Sequence, residues 1–192
     1  MSNSDSRRCA AALRQQQIRA RALQAGEAAR RGPELRFVAD VMLGRLARWL
    51  RIAGFDVLYS NRFSDDELLL VARREGRVLL SRDTRLLVRK AAASFVYLES
   101  DRVQDQVRQI LALAGTLPGP LSRCLDCNEP LLEVEREKVR NRVPAFVFET
   151  QPRFKQCPGC GKIYWAWRRS PGSRKNSFTF CCWLRTQSVL RA

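Results

Sequence analysis

Four cysteines in two close pairs constrain the fold of this chain more than any other feature. The pairs Cys124–Cys127 and Cys157–Cys160 both have the spacing C-x-x-C, and 29 residues separate them. Two intervening residues let both thiolates bind one ion from a single turn, and four thiolates favour a structural, tetrahedral Zn²⁺ site. The second pair is followed by Gly161, which suits a tight turn. Because the gap is longer than in a compact ribbon, we expect a β-hairpin between the pairs.

Other chemistries of paired cysteines stay open at this point. The pairs can be unrelated or form disulfides, or Cys157 and Cys160 can act as a thiol redox motif. Seven cysteines with metal-ligand spacing fit a reducing compartment better than a disulfide scaffold, so we expect a cytoplasmic or nuclear protein. The absence of histidine from the sequence excludes His-based acid–base catalysis, Ser-His-Asp triads and histidine metal ligands.

The strong positive charge of the chain indicates a polyanionic partner. The formal net charge is +16, from 35 Lys and Arg against 19 Asp and Glu, and nucleic acid is the partner that such a field favours most. Much of the excess lies in residues 1–34 and 166–192, so basic tails that aid only solubility or targeting are an alternative. No apolar run approaches the roughly 20 residues of a membrane span, and no signal-peptide core follows the first methionine, so we expect no membrane partner.

Strand and helix patterns alternate between Leu35 and Ala114. Apolar spacing predicts strands over 35–39, 55–59, 77–80 and 95–98, each followed by a helix. Strands that alternate with helices indicate an α/β fold, in which a doubly wound, mostly parallel sheet is flanked by helices. A small β-rich zinc ribbon follows it.

Composition divides the chain into four predicted regions. Residues 1–34 are rich in Arg, Gln and Ala and are predicted to be a basic, helical or disordered extension. The α/β domain takes residues 35–116, and a Pro-Gly-Pro linker separates it from the zinc ribbon over 122–167. Residues 168–192 lack periodicity and carry only basic charges, so we expect a poorly ordered tail.

Carboxylates follow the predicted strands, at the edge of the sheet where open α/β folds bind their ligands. Asp40 follows the first strand, Asp83 follows the third, and Asp65 begins the helix after the second. Such a group favours a hard cation, Mg²⁺ or Mn²⁺, which can activate water and neutralise charge on a phosphodiester. Three further acids are possible additions to this group: Asp66, Glu67 and Asp101. The structural alternative is helix capping, by a Ser64–Glu67 capping box and by Asp83 before Thr84.

Arginines accompany these acids in the sequence. Arg45, Arg48 and Arg51 lie opposite the apolar stripe of the first predicted helix, and Arg82 precedes Asp83. Guanidinium groups match phosphate oxygens, so we expect Arg45, Arg48 and Arg82 to bind a nucleic-acid backbone. A solvated basic face is the alternative for each of them. Aromatic and basic residues also alternate in the cysteine module, a pattern that can stack unpaired bases.

Four segments occur in a fixed order: Asp40-Val-Met-Leu-Gly-Arg-Leu-Ala-Arg-Trp-Leu50, Ser64-Asp-Asp-Glu-Leu68, Leu80-Ser-Arg-Asp83, and the two cysteine pairs with Gly161-Lys-Ile-Tyr-Trp165. Together they resemble the Mut-seven C-terminal ribonuclease domain family, over about Leu35 to Trp165. The resemblance implies a PIN-like nuclease fold that carries a zinc ribbon. In animals this domain often follows a 3′-5′ exonuclease domain, and the chain is similar to the C-terminal part of such proteins.

The resemblance also implies an activity and its residues. The expected function is a Mg²⁺- or Mn²⁺-dependent ribonuclease that hydrolyses RNA, with the ribbon supporting nucleic-acid binding. Asp40, Asp65 and Asp83 carry over as catalytic acids, and the zinc ligands are Cys124, Cys127, Cys157 and Cys160. The alternative is a non-catalytic zinc-ribbon module for RNA binding or assembly. The RNA is expected to be single-stranded, and the sequence specifies no protein partner.

Overall fold

The computed structural model describes residues 35–87, 94–115 and 117–165. The predicted extension over 1–34, the end of the third predicted helix and the tail over 168–192 lie outside these residues. The chain divides into two compact units, of which the first ends at Asn128 and the second begins at Glu129. The first unit therefore includes Cys124 and Cys127, which the sequence grouped with the ribbon. The predicted domain boundaries at 116 and 122 stay predictions.

A parallel sheet of four strands forms the centre of the first unit. The strands are β1 (Arg36–Ala39), β2 (Asp56–Tyr59), β3 (Val78–Ser81) and β4 (Phe95–Tyr97). A 3₁₀ turn over Val41–Leu43 precedes the helices of the described part of this unit, which are α1 (Gly44–Ile52), α2 (Asp65–Arg74), α3 (Thr84–Leu87) and α4 (Val103–Ala114). The strands lie in the order β2-β1-β3-β4, and all three pairings are parallel. The predicted α/β fold is confirmed.

Apolar residues on both faces of the sheet explain why helices cover it. Successive residues of a strand point to opposite faces, and both Phe37 and Val38 of β1 are buried. Val38 packs in a cluster with Leu68 and Leu69 of α2. The helix itself begins at a capping box, in which Ser64 and Glu67 exchange hydrogen bonds. A sheet that is apolar on both faces needs cover on both, which short strand–helix units supply.

The strand order creates a crevice at one edge of the sheet. The chain passes from β1 to β2 on one side and then returns to place β3 on the other side of β1. Connections that leave neighbouring strands in opposite directions open a crevice beyond the carboxyl ends of those strands. In this unit the crevice lies beyond β1 and β3. Asp40 and Asp83 follow these two strands.

The second unit contains an antiparallel sheet. Its strands are β5 (Leu132–Val134), β6 (Phe154–Gln156) and β7 (Ile163–Trp165), and β6 pairs with both neighbours. The predicted β-hairpin is only partly right, because the connection between β5 and β6 contains a 3₁₀ turn (Arg136–Val139) and helix α5 (Ala145–Thr150). These insertions supply a core that two short strands lack, since Val139 and Phe148 cluster with Phe154. Within the described residues, no helix has the length and apolar character needed to cross a membrane.

Candidate functional site

The structure brings the four paired cysteines together. The Sγ atoms of Cys124, Cys127, Cys157 and Cys160 all lie within 4.8 Å of one another, and none of these cysteines is in a disulfide. A tetrahedral Zn²⁺ with Zn–S bonds of about 2.3 Å places its sulfurs about 3.8 Å apart, so the group fits this ion. Four soft thiolates leave no open position for a substrate. The cysteines can therefore hold zinc in a structural role.

Backbone hydrogen bonds shape the second cysteine turn for such a site. The N–H of Cys160 donates to Sγ of Cys157 at 3.4 Å, and the N–H of Gly161 donates to the carbonyl oxygen of Cys157 at 2.9 Å. Gly161 has a φ of +71°, which residues with a side chain rarely adopt. The glycine predicted for a tight turn is confirmed at this position.

Asp40 and Asp83 meet through one serine at the crevice of the parallel sheet. The hydroxyl of Ser81 donates to Oδ2 of Asp40 at 2.5 Å and accepts from the N–H of Asp83 at 2.9 Å. Ser81 is the last residue of β3 and is fully buried. The N–H of Asp40 also donates to the carbonyl oxygen of Leu80 at 3.0 Å, so the ends of both strands are fixed together. The carboxyl group of Asp40 and the backbone of Asp83 are thereby both attached to the end of β3.

Each of these two carboxyl groups keeps one oxygen for a ligand. Asp40 is only 4% exposed, yet its Oδ1 is neither hydrogen-bonded to the described residues nor sealed from solvent. Oδ1 of Asp83 accepts from the N–H of Arg85 at 2.7 Å, which is the capping role considered above. Its Oδ2 accepts no hydrogen bond from the part of the chain that the structure describes. The pair can thus coordinate a hard cation through carboxylate oxygens.

The other predicted acids lie on the same rim with different surroundings. Asp65 and Asp66 are exposed in the first turn of α2, and Asp101 is exposed in the turn before α4. Glu67 accepts from the N–H and hydroxyl of Ser64, and these hydrogen bonds lower the pKa of Glu67. Over residues 35–87, 94–115 and 117–165, no group of three carboxylates is close enough to share one ion. Glu67 therefore caps the first turn of α2. The catalytic role of Asp65 stays a prediction.

Two of the predicted nucleic-acid-binding arginines are exposed on α1. Arg45 and Arg48 project from this helix directly after Asp40, and Arg48 forms an exposed ion pair of 3.6 Å with Asp126. Arg82 is half-buried, and its Nε is buried without a hydrogen-bond partner among the described residues. An unpaired buried donor is costly in free energy. Arg82 therefore carries, in the described part of the chain, an unsatisfied donor next to Asp83, and this donor lies beneath the surface.

The expectation that Arg51 shares the solvated basic face is wrong, because its side chain is only 3% exposed. Its Nε and Nη2 donate to the carbonyl oxygen of Val57 at 3.0 and 2.8 Å. Its Nη1 donates to the carbonyl oxygens of Leu125 and Asp126, both at 2.8 Å. Burial lowers the pKa of Arg51, and the negative charges of Cys124, Cys127 and two aspartates partly oppose this shift. Because Arg51 is buried and all three of its guanidinium nitrogens donate to backbone carbonyl oxygens, it cannot bind RNA.

Sequence reasoning also missed a buried polar network around Asp56. Its Oδ1 accepts from Arg77 and from the side chain of Asn128, both at 2.7 Å, and Arg123 lies 3.5 Å from Oδ2. Burial alone raises the pKa of Asp56, but these hydrogen bonds and positive charges outweigh it and lower the pKa. The sequence contains one indication of this network: Asp56 lies inside the predicted apolar strand over 55–59. Such a residue needs partners when buried.

Comparison with known proteins gives one match. The family model for the Mut7-C RNAse domain matches residues 35–173, which include both the parallel sheet and the four cysteines. No curated protein and no solved structure matches the chain.

Proposed function

This chain belongs to the Mut7-C RNAse domain family, and we propose that it is a metal-dependent ribonuclease that hydrolyses phosphodiester bonds of single-stranded RNA. Membership of the family supports a nuclease-type function. The observation that carries the proposal is the link from Asp40 through Ser81 to Asp83. This link supports the proposal because it joins the residues that follow β1 and β3, the two strands between which the strand order reverses.

In this proposal Asp40, Asp83 and Ser81 have different roles in phosphodiester hydrolysis. Asp40 and Asp83 would hold Mg²⁺ or Mn²⁺ through the oxygens that face the crevice, with Asp65 as a third acid on the rim. A divalent ion at such a site activates water and neutralises charge on the phosphate. Ser81 keeps the Asp40 carboxyl in one orientation, which preserves the geometry that the reaction needs.

Arginines near these carboxyl groups would hold the RNA backbone. Arg82, which is half-buried, would contribute positive charge next to Asp83, and the exposed Arg45 and Arg48 would extend this charge along α1. Phosphate contacts of this kind position a strand without reading its sequence. The zinc ribbon would support binding through its basic and aromatic residues. The cysteines are proposed to hold zinc, because soft thiolates select it over Mg²⁺.

The test is cleavage of end-labelled single-stranded RNA by the purified protein with added Mn²⁺. We expect cleavage that excess EDTA abolishes, and a loss of at least about 100-fold in Asp40→Asn and in Asp83→Asn. Glu133→Gln is the matched control, since it neutralises an exposed acid on β5. Full activity in both aspartate variants, or undiminished activity in EDTA, would refute the proposal. Asp65→Asn tests the third acid separately.

A non-catalytic RNA-binding or assembly module is the second candidate function. It is favoured by the finding that no three carboxylates of the described residues are close enough to share an ion. This function predicts salt-sensitive RNA binding without cleavage, and binding that is unchanged in Asp40→Asn. Cleavage that depends on Asp40 and Asp83 decides against it.

A further inference from the structure

We propose that Arg51 and Asn128 are positioning residues that couple the first cysteine pair to the outer edge of the parallel sheet. Through them, zinc binding at the cysteines and closure of the sheet edge would stabilise each other. The inference rests on the proposed zinc site and is independent of RNA cleavage.

Strand β2 lies at the edge of the parallel sheet. An edge strand leaves the N–H and C=O groups of alternate residues without a neighbouring strand. At Val57 both groups are nevertheless paired: the N–H donates to Oδ1 of Asn128 at 3.0 Å, and the carbonyl oxygen accepts from Arg51 at 2.8 Å. Two side chains thus occupy the place of a further strand.

The same two residues, Arg51 and Asn128, also shape the first cysteine turn. Arg51 donates to the carbonyl oxygens of Leu125 and Asp126, which are the two residues between Cys124 and Cys127. The N–H of Asn128 donates to the carbonyl oxygen of Cys124 at 3.1 Å. The side chain of Asn128 also donates to Asp56, which an ion pair with Arg77 holds in place. The turn is therefore fixed from the sheet side.

The positive charge of Arg51 favours the same coupling. Four thiolates around one Zn²⁺ carry a net negative charge, and the buried guanidinium of Arg51 bonds to the turn that supplies two of them. Groups that orient and neutralise metal ligands in this way raise metal affinity. Because the coupling is thermodynamic, it is reciprocal: bound zinc also holds the turn against Val57. Loss of zinc would then weaken the hydrogen bonds that Arg51 and Asn128 make to Val57 at the outer edge of β2.

Zinc affinity of purified variants, measured by competition with a chromophoric chelator, tests the first half of the coupling. We expect Arg51→Met to weaken zinc binding by about tenfold. Arg48→Met is the matched control: it removes the same charge from the same helix, and its exposed ion pair with Asp126 contributes little. Its affinity should stay within about twofold of wild type. Equal losses in both variants, or no loss in Arg51→Met, would overturn the proposal.

Hydrogen exchange of the wild-type protein tests the second half and needs no folded variant. On zinc removal we expect exchange of the Val57 amide to accelerate by at least about tenfold. The amide of Leu79, which donates to Ser94 within the sheet, should change much less. Unchanged exchange at Val57, or equal acceleration at both amides, would overturn the coupling. Failure of the protein to bind zinc at all would overturn the zinc site and the coupling, whereas a loss of RNA cleavage alone bears only on the ribonuclease proposal.

Discussion

The hydroxyl of Ser81 donates a hydrogen bond of 2.5 Å to Oδ2 of Asp40, and it joins the ends of two neighbouring parallel strands. The serine is fully buried at the end of β3, so its hydroxyl has a fixed environment. It also accepts from the N–H of Asp83 at 2.9 Å. A single side chain therefore joins the carboxyl group of Asp40 to the backbone of Asp83.

Removal of this hydroxyl should reduce cleavage more than it reduces stability. Ser81→Ala leaves a buried carboxylate oxygen without its donor, at a cost of about 1–2 kcal/mol in the free energy of unfolding. Cleavage should fall by about tenfold, because the Asp40 carboxyl loses its orientation. Urea denaturation and kcat/KM on RNA measure the two effects. Ser122→Ala is the control, since Ser122 bonds to Gly119 away from Asp40 and Asp83; wild-type cleavage in Ser81→Ala would contradict the assigned role.

The buried ion pair of Asp56 predicts a specific dependence of stability on pH. The pKa of Asp56 is lowered in the folded protein, so its contribution is complete above its ordinary unfolded pKa of about 4. The contribution is lost as the pH falls through the lower folded pKa. The free energy of unfolding should therefore fall more steeply below about pH 4 in wild type than in Asp56→Asn. Chemical denaturation at a series of acidic pH values measures both slopes.

At neutral pH, Asp56→Asn should lower the free energy of unfolding by about 2 kcal/mol, because Arg77 loses its buried carboxylate partner and keeps only the ion pair with Glu75. Asp105→Asn breaks an exposed ion pair with Arg108 and should cost less than about 0.5 kcal/mol. Similar costs in the two variants would show that the Asp56 pair contributes no more than a surface ion pair.

Asn128 should tolerate glycine better than alanine. Its φ is +68°, a conformation that glycine adopts freely and alanine does not. Both substitutions remove the side-chain hydrogen bonds to Val57 and Asp56, so the difference between them isolates backbone strain. We expect Asn128→Ala to be about 1 kcal/mol less stable than Asn128→Gly in urea denaturation. At exposed Asn141, whose φ is not positive, glycine should bring no such advantage; an equal loss for both Asn128 variants would contradict the prediction.

Tyr59 and Gly44 should be energetically coupled. A Cβ at Gly44 would lie 2.6 Å from the hydroxyl oxygen of Tyr59, and this hydroxyl donates to the carbonyl oxygen of Val41 at 3.0 Å. Gly44→Ala should therefore displace the tyrosine and cost about 1–2 kcal/mol. In a Tyr59→Ser background the same change should cost markedly less, which a double-mutant cycle measures. Additive costs would mean that the ring moves aside freely.

The features predicted correctly from the sequence depend on local patterns. Helix α2 begins after Ser64 because a capping box is written within four consecutive residues, and α4 over Val103–Ala114 follows from helical apolar spacing. The parallel sheet follows from the alternation of strands and helices. Two C-x-x-C pairs were enough to predict four converging thiolates. Each of these signals lies within a short segment of the sequence and has a direct chemical cause.

The features missed depend on residues that are distant in sequence. Arg51 has the helical position of an exposed residue, and only its contacts 74 and 75 residues further along bury it. Asn128 bonds to Val57 across 71 residues. No local pattern records such pairings, because each partner is an ordinary residue in its own segment. Helix α5 was missed for a related reason, since it depends on packing of Phe148 against Phe154.

The distance between Val57 and Asn128 has a consequence for the growing polypeptide. When a ribosome has synthesised the chain as far as residue 116, every strand of the parallel sheet has been made, but the partner of the Val57 amide has not. Such an intermediate presents an open strand edge, to which another nascent chain can pair. A fragment truncated there would share this tendency to self-associate. A shortened protein must therefore include Asn128, and it must also include Cys157 and Cys160 to keep the zinc ligands that are proposed to hold this turn.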